Sequence, residues 1–481
     1  YVTLVIENSD GMRVKNLVGE TRFEAGEHTV AWDGRDETCK NFRVCGVYDI
    51  DPQPVPAGRY RVRGLVRPEI EARYELTVNN AGNPPWPKQD GTGRWLADHS
   101  PPSDVLFLPP GRVAHRGATR DASFQPGDAD FIPTDEPLVL IASHVAESGD
   151  GLVWCDLDGR KRRGVRSLGA GGGWCGAERL ARDRGPSVVK AIYAYLATGW
   201  KDSLELRTLP SGEVIHSAKF STPGDLNCIG LAVHDGLLAV TLRPINLLVL
   251  FDTVARKQLG TMQLDDIGGV SFDEQGRLFV VTKKQVVRLD GKLRGIGFQP
   301  VVTPFIPSGT TNTDSLGGKK NTDRLEAYPT LSDPRQLLWD QGELFVADLG
   351  PAHQVKVFDK DGKHLRTIGR AGGSQLGAYN PEAMQNPAGI TIDSRGRLWV
   401  AESDYSPKRV SVWNRDGKFE QAFYGPPGYG GGGTLDPIDP KRFYLAYGSG
   451  LEFQIDWRTR RSVPVHRYWQ DGPATLKLGA D

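Results

Sequence analysis

Between residues 96 and 470 the chain alternates short apolar runs with turn residues. One phrase recurs seven times: an apolar strand, a turn, a second strand that ends on a small or polar residue, and a third strand. The second strands align as Leu140-Ile141-Ala142-Ser143, Tyr195-Leu196-Ala197-Thr198, Leu238-Ala239-Val240-Thr241, Phe279-Val280-Val281-Thr282, Phe345-Val346-Ala347-Asp348, Trp399-Val400-Ala401-Glu402 and Tyr444-Leu445-Ala446-Tyr447. Third strands such as Gln354-Val355-Lys356-Val357-Phe358-Asp359 alternate apolar and polar side chains and favour β-branched residues, as a pleated strand with one buried face requires. Self-similarity at a period of about 40–45 residues is the signature of a β-propeller, each phrase supplying one blade. Seven blades are favoured by the count, with six or eight as alternatives.

Asp158-Gly159, Asp290-Gly291, Asp361-Gly362 and Asp416-Gly417 follow third strands and predict tight primed turns, since both residue types tolerate positive φ. No loop gathers the five or more oxygens that calcium takes, so these aspartates are read as turn formers. Residues 294–330, rich in Gly, Pro, Thr, Ser and Asn and without a sustained apolar period, are expected to form a surface insertion.

A second module precedes the repeats. Val2-Thr3-Leu4-Val5-Ile6-Glu7 alternates as a strand, Ala25-Gly26-Glu27-His28 leads to Trp32-Asp33-Gly34, and Pro56-Ala57-Gly58-Arg59-Tyr60 leads into another strand. This pattern resembles the immunoglobulin-like domain of the FlgD family. The resemblance implies a β-sandwich over 1–82, with Trp32 plugging the core and Pro56-Ala57-Gly58 turning into the last long strand. Residues 83–95, stiffened by proline, are expected to act as a linker to a propeller at 96–481. Within the propeller, Asn386-Pro387-Ala388-Gly389 through Asp416-Gly417 resembles an NHL repeat, as does Asp333-Pro334 through Gly362. The resulting fold class is all-β, an immunoglobulin-like sandwich followed by an NHL-like propeller.

Charge narrows the choice of partners. Lysine plus arginine and aspartate plus glutamate number 59 each, so the basic footprint of a nucleic-acid binder is missing. The run Arg160-Lys161-Arg162-Arg163 reads as a solvated hairpin edge that discourages strand pairing. No stretch is long and apolar enough for a membrane-spanning helix, so membrane insertion is not expected. The five cysteines show no CxxC or CxxCH spacing, which leaves structural zinc and attached haem without support; Cys39 and Cys45 stand close enough to close a small loop. Neither a metal nor any other cofactor is expected. Tyr1 falls inside what should be a strand, which reads as a mature product or an excised portion of a longer protein.

Candidate chemistry is sought where the second strands end. The column there holds Ser143-His144, Thr198, Thr241, Thr282, Asp348, Glu402 and Tyr447. His144, Thr198, Thr241, Thr282, Asp348, Glu402 and Tyr447 are the candidate ligand-binding residues, able to hydrogen-bond a sugar or a peptide. The competing reading is that hydroxyls at strand ends satisfy backbone groups. Asp348 and Glu402 are also weak candidates for the paired carboxylates of a glycosidase. His99, within Asp98-His99-Ser100, is a third weak catalytic candidate, or else a residue at the channel mouth beside the loop holding His144. No GxSxG is present to support a serine triad.

The function expected is therefore non-enzymatic: an extracytoplasmic binding or scaffold protein (secreted, periplasmic or on the cell surface) recognising a glycan or a protein through loops on one propeller face. A carbohydrate-active hydrolase or lyase using Asp348 and Glu402 is one alternative, and a self-assembling surface subunit is another.

Overall fold

A computed structural model describes residues 1–43, 47–79, 93, 95–114, 133–147, 149–167, 176–185, 192–209, 211–293, 299–306, 331–405, 407–426, 432–445 and 450–468. Every regular element among them is a β-strand. The chain divides into two compact units, Tyr1–Tyr74 and Glu75–Asp481.

In the first unit, Val2–Glu7 lies at the centre of a three-stranded antiparallel sheet, between Arg13–Thr21 and Arg61–Val66. Val5 and Ile6 on it, and Val18 on Arg13–Thr21, are buried. Residues Cys39–Arg43 and Val47–Ile50 form a separate hairpin. Pro56-Ala57-Gly58 does bend the chain into Arg61–Val66. Trp32 is only half-buried: its Nε1 donates to the Arg35 carbonyl at 2.9 Å, and its ring meets Tyr60 edge-on at 4.9 Å. It ties a loop to Tyr60, a lesser burial than the expected plug.

The second unit contains six blades, here blades 1 to 6: five four-stranded antiparallel sheets and, as blade 2, the antiparallel strands Arg179–Arg182, Ile192–Trp200, Ser203–Leu209 and Val214–Lys219, whose sheet also takes in Gly111–Ala114, parallel to Ile192–Trp200, and Pro133–Thr134. Their inner strands are Pro102–Leu108, Arg179–Arg182, Asn227–His234, Val270–Phe272, Pro334–Asp340 and Pro387–Ile392. A hydrogen bond crosses every junction. Leu180 N donates to Asp104 Oδ2 (2.8 Å), Arg179 Nε to the Ile229 carbonyl (2.6 Å) and Thr241 Oγ1 to the Gly268 carbonyl (2.7 Å). Trp339 N donates to Ser271 Oγ (2.9 Å), Asn386 N to His353 Nδ1 (3.1 Å) and Phe107 N to Thr391 Oγ1 (3.0 Å). The last of these returns from blade 6 to blade 1, so six blades close the ring. Each junction also buries its own apolar cluster, for example Val105, Val139 and Val153 of blade 1 against Trp399, Val410 and Val412 of blade 6. Stability is therefore spread over six interfaces, each excluding water from both faces of its blades.

The seventh phrase forms a sheet, but outside that ring. Leu451–Asp456 pairs with Arg442–Leu445 and Arg461–Arg467, and the five-stranded sheet is completed by Gly433–Leu435 and Gly377–Ala378. Its apolar cluster includes Leu445, Leu451 and Phe453, with Val78 and Tyr379 packed on it. Exposure explains the departure from seven blades. An inner strand is flanked by neighbours on both sides and must be apolar, whereas Gly433-Thr434-Leu435 is exposed throughout.

Three further expectations are revised. Gln299–Ile306, inside the supposed insertion, is the outer strand of blade 4; Pro300 and Pro304 are tolerated because an outer strand is an edge. Residues 307–330 lie outside the described residues. Asp290-Gly291 lies within the strand Gln285–Lys292 and forms no turn. Where an Asp-Gly turn does form, as at Gly159, Gly362 and Gly417, only the glycine has positive φ, so the turns are not of the doubly positive primed kind. The organising residue stands three positions before the glycine. Asp156 Oδ1 accepts the amides of Asp158 and Arg160, and Asp359 Oδ1 those of Asp361 and Lys363, at 2.8–2.9 Å. Asp273 before Gly276 and Asp393 before Gly396 do the same.

Of the basic run, Arg160, Arg162 and Arg163 are exposed as expected. Lys161 is buried and its ammonium meets Asp150 and the Gly93 carbonyl. Trp95, assigned to the linker, is buried in the cluster between blades 6 and 1.

A candidate binding site in the central cavity

Antiparallel pairing puts the end of each second strand beside the start of an inner strand: Ser143 opposite Pro102, Asp348 opposite Pro334, Glu402 opposite Pro387. The described residues of the candidate column therefore gather towards one end of the ring, and four of them, Thr241, Thr282, Asp348 and Glu402, are turned to internal work. Thr241 Oγ1 donates to Gly268, and Thr282 Oγ1 donates to the Asp265 carbonyl at 2.5 Å. Asp348, fully buried, accepts the amides of Ser332 (3.0 Å) and Asp333 (2.6 Å) and the ammonium of Lys356 (2.6 Å). Glu402 accepts Gln385 N (2.9 Å) and Ser411 Oγ (2.6 Å) and pairs with Arg409 at 3.3 Å, both partners being 1% exposed. Burial pushes the Glu402 carboxyl above its usual range, with Arg409 opposing. The oxygens of these two acids are thus taken up by loops and neighbouring strands.

Ser143 Oγ and Thr198 Oγ1 are buried without a hydrogen-bond partner. His144 is partly exposed, with Nδ1 3.8 Å from Glu178 and its ring 6.3 Å from Trp200. Glu178, absent from the sequence expectations, plays the part of Asp348 in blade 2: its Oε2 accepts Gly199 N (2.6 Å) and Cys228 N (2.8 Å). Tyr447 lies outside the described residues. His99 does reach the loop that follows His144, its Nε2 3.2 Å from Glu147 and its Nδ1 3.2 Å from Asp98. Those three side chains could present three ligand atoms to a cation, within 4.8 Å of one another. Cys155 and Cys228 are buried free thiols, pushed well above the usual thiol range by burial, and so are chemically quiet. Cys45 lies outside the described residues, so the proposed small loop with Cys39 does too.

The cavity lies elsewhere. At the ring's centre is a space of about 690 Å³ lined by the inner strands and by the turns that follow them, among them Pro110, Asp183, Arg184, Glu274 and Gln341. It opens where inner strands end, the face opposite the candidate column, and none of that column lines it. Its acids are fixed by N–H donors. Asp183 accepts Gly185 N, Asp235 N and Gly236 N at 2.6–2.9 Å. Glu274 accepts Trp339 Nε1 at 2.6 Å and Gly342 N at 3.2 Å. Asp340 Oδ2 accepts Arg415 Nη1 at 2.9 Å. Asp104 accepts the amides of Val105 and Leu180, and burial raises its carboxyl to about 6.

Two arginines share this space. Arg184 Nη1 donates to the Trp339 carbonyl at 3.0 Å and stands 3.8 Å from Asp340, with its side chain 29% exposed. Arg182, on the last residue of blade 2's inner strand, lies 5.9 Å from the Phe107 ring, and its buried Nε has no hydrogen-bond partner. Burial pulls both guanidinium groups below their usual range, and Arg184 adds like-charge repulsion at Arg182. The sequence signal was Arg182-Asp183-Arg184, charge placed where an inner strand ends.

No family model matches the chain. Protein brain tumor of Drosophila melanogaster is 25% identical over 84 residues, which is 18% of this chain and 7% of that protein. Among solved structures, an auxiliary nutrient binding protein from Bacteroides thetaiotaomicron matches at a TM-score of 0.37 and 14% identity, over 62% of this chain and 74% of that one. The β-propeller domain of Myceliophteria thermophila Cps50 (Swd1) matches at 0.33 and 10%, over 58% and 84%. Virginiamycin B lyase from Staphylococcus aureus matches at 0.28 and 13%, over 49% and 69%. At these scores the likenesses carry no argument. No helix among the described residues is long and apolar enough to cross a membrane.

Proposed function

We propose that the chain is a non-enzymatic, extracytoplasmic binding protein in which an NHL-like propeller recognises a glycan or protein partner and an FlgD-like immunoglobulin module accompanies it. The observation that carries this reading is the central cavity. Its walls are inner strands pinned by cross-blade hydrogen bonds, and it is rich in polar groups that converge from several blades. A preformed concave site with a few convergent polar groups is what small-solute and glycan recognition uses. The loops framing its mouth, at 109–111, 183–185 and 273–274, would supply the recognition face on a rigid scaffold. The acids that would serve a hydrolase, Asp348 and Glu402, are spent on backbone amides and cations, which weighs towards binding over turnover.

The test is an array of glycans, cell-wall polymers and surface proteins, probed with the purified chain and with Pro110→Trp. Pro110 is exposed at the cavity mouth, so the substitution narrows the mouth without touching the core. Binding by the parent chain that Pro110→Trp abolishes supports the reading. No binding to anything on the array, or equal binding by both proteins, overturns it.

A further inference from the structure

We infer that the ligand of the central cavity carries an anionic group, a carboxylate or a phosphate, held by Arg182 and Arg184. This rests on the reading of the cavity as the binding site. Arg182 is a buried cation with an unsatisfied donor. A guanidinium has five N–H donors and no acceptor, and a buried one is costly unless it is hydrogen-bonded and paired. Arg182 has a buried Nε without a hydrogen-bond partner and an aromatic face at 5.9 Å, with Asp183 and Asp340 attracting it from beyond hydrogen-bond contact. Arg184, two residues on, adds like-charge repulsion, which an anion held by both would relieve.

The carboxylates nearby offset the charge but supply Arg182 with no acceptor: Asp183 and Asp340 attract its guanidinium, and neither accepts a hydrogen bond from it. Five of them line the cavity: Asp104, Asp183, Asp273, Glu274 and Asp340. Asp183 is spent on three backbone amides and Glu274 on an indole and an amide, while Asp273 is held by Arg277 Nε and by two amides. Asp340 is bonded to Arg415 at 2.9 Å and stands 3.8 Å from Arg184, and Asp104 caps two amides with its carboxyl pushed towards protonation. Each acid therefore has its donors, and the group left without an acceptor is the arginine. Arg184, reachable from solvent at the mouth, would meet an entering anion first, and Arg182 would hold it deeper. Two guanidinium groups suit a planar carboxylate or a phosphate, whose oxygens accept in pairs. Trp339, with its indole fixed on Glu274 in the wall, gives an optical report on the site.

The experiment titrates the full chain with inorganic phosphate, with glucuronate, with neutral glucose and with calcium alone, followed by calorimetry and Trp fluorescence. Arg182→Gln, Arg182→Lys and Arg184→Gln are titrated in parallel. Saturable binding of phosphate or glucuronate is expected, and which of the two binds more tightly identifies the anionic group. Arg182→Gln should weaken it by about tenfold or more, and Arg182→Lys should restore part of the loss. Should circular dichroism show that Arg182→Gln does not fold, Arg184→Gln decides in its place. Anion affinity unchanged in the Gln variants, glucose bound as tightly as glucuronate, or calcium bound in place of the anions each overturns the inference. A neutral glycan captured on the array and lost in Pro110→Trp would then leave the binding function standing without its anionic ligand, whereas silence in both experiments removes both.

Discussion

Lys408 Nζ donates to the Ala97 carbonyl at 2.9 Å, across 311 positions of sequence, and also to the carbonyl of Asp98. Lys408 belongs to blade 6, and Ala97 precedes the inner strand of blade 1, so this contact lies where the ring meets itself. Burial pulls the amine down to about 7, with the Asp98 carboxylate opposing. An unfolded lysine keeps its proton to about 10.5, so between those limits the unfolded chain binds the extra proton and stability rises with pH. The stabilising contribution is complete above 10.5 and is lost as pH falls through 7. Urea unfolding at pH 7, 8.5 and 10 should show a rise on the order of a few kcal/mol in the parent protein that is missing in Lys408→Met. Parallel curves for the two proteins would refute this account of the seam.

Asp104 gives the opposite slope. Its carboxyl is raised to about 6 by burial, so the native state holds a proton that the unfolded chain releases near 3.8. Stability from this group is fully present below 3.8 and falls as pH rises to 6. Asp104→Asn should flatten that part of the profile. It should also cost about 1–3 kcal/mol near pH 7, because an amide cannot accept from both Val105 N and Leu180 N. A variant that retains the parent slope between pH 4 and 6 contradicts the assignment.

Asp348 and Glu402 should be stability residues. Removing one member of a buried pair leaves the other uncompensated, so Glu402→Gln, stranding Arg409, should lose about 3–5 kcal/mol. Asp348→Asn, facing Lys356 and two amides, should lose a similar amount. Thermal midpoints measure this directly. Unchanged midpoints would return both residues to the list of candidate functional groups.

Gly269 should tolerate no side chain. A Cβ there would lie 2.6 Å from the Arg335 carbonyl oxygen and 2.6 Å from Gln336 Cα, both main-chain atoms of the next blade. Blades 4 and 5 approach this closely because Gly269 N donates to that same carbonyl at 2.6 Å. Gly269→Ala should lower stability by several kcal/mol, as overpacking against immobile backbone does. Gly396→Ala makes a useful control: nothing stands within 4 Å of a Cβ there, and only the left-handed φ of 75° is strained, so its cost should stay near 1 kcal/mol.

The repeat was legible because each blade needs the same apolar alternation: Leu238–Thr241 and Phe345–Asp348 are buried strands for reasons contained in their own residues. Ring closure was not legible in that way. It depends on which inner strand lies beside Pro102–Leu108, and the exposed Gly433-Thr434-Leu435 cannot do so, although Leu451–Asp456 reads as a normal third strand. The turns were half legible, since glycine was seen but the aspartate three positions earlier was not. Ser143, Thr282, Asp348 and Glu402 do end their strands, while Thr198 and Thr241 stand two residues short of the ends of theirs; the hydroxyls of Thr241 and Thr282 bond backbone carbonyls, and the two acids accept backbone amides. The cavity escaped notice because its lining is gathered from segments as far apart as Asp104 and Thr391, and single-sequence spacing carries no trace of that meeting.

All four strands of blade 1 precede all four of blade 6 in the chain, so no strand is lent from one end of the ring to the other. The ring is a cut hoop, and the ends of the cut are held by Lys408, by the Phe107–Thr391 bond and by the apolar cluster around Trp399. The position of that cut is an accident of where the chain enters. A circularly permuted chain entering at the junction of blades 3 and 4 would keep every blade whole and merely relocate the gap.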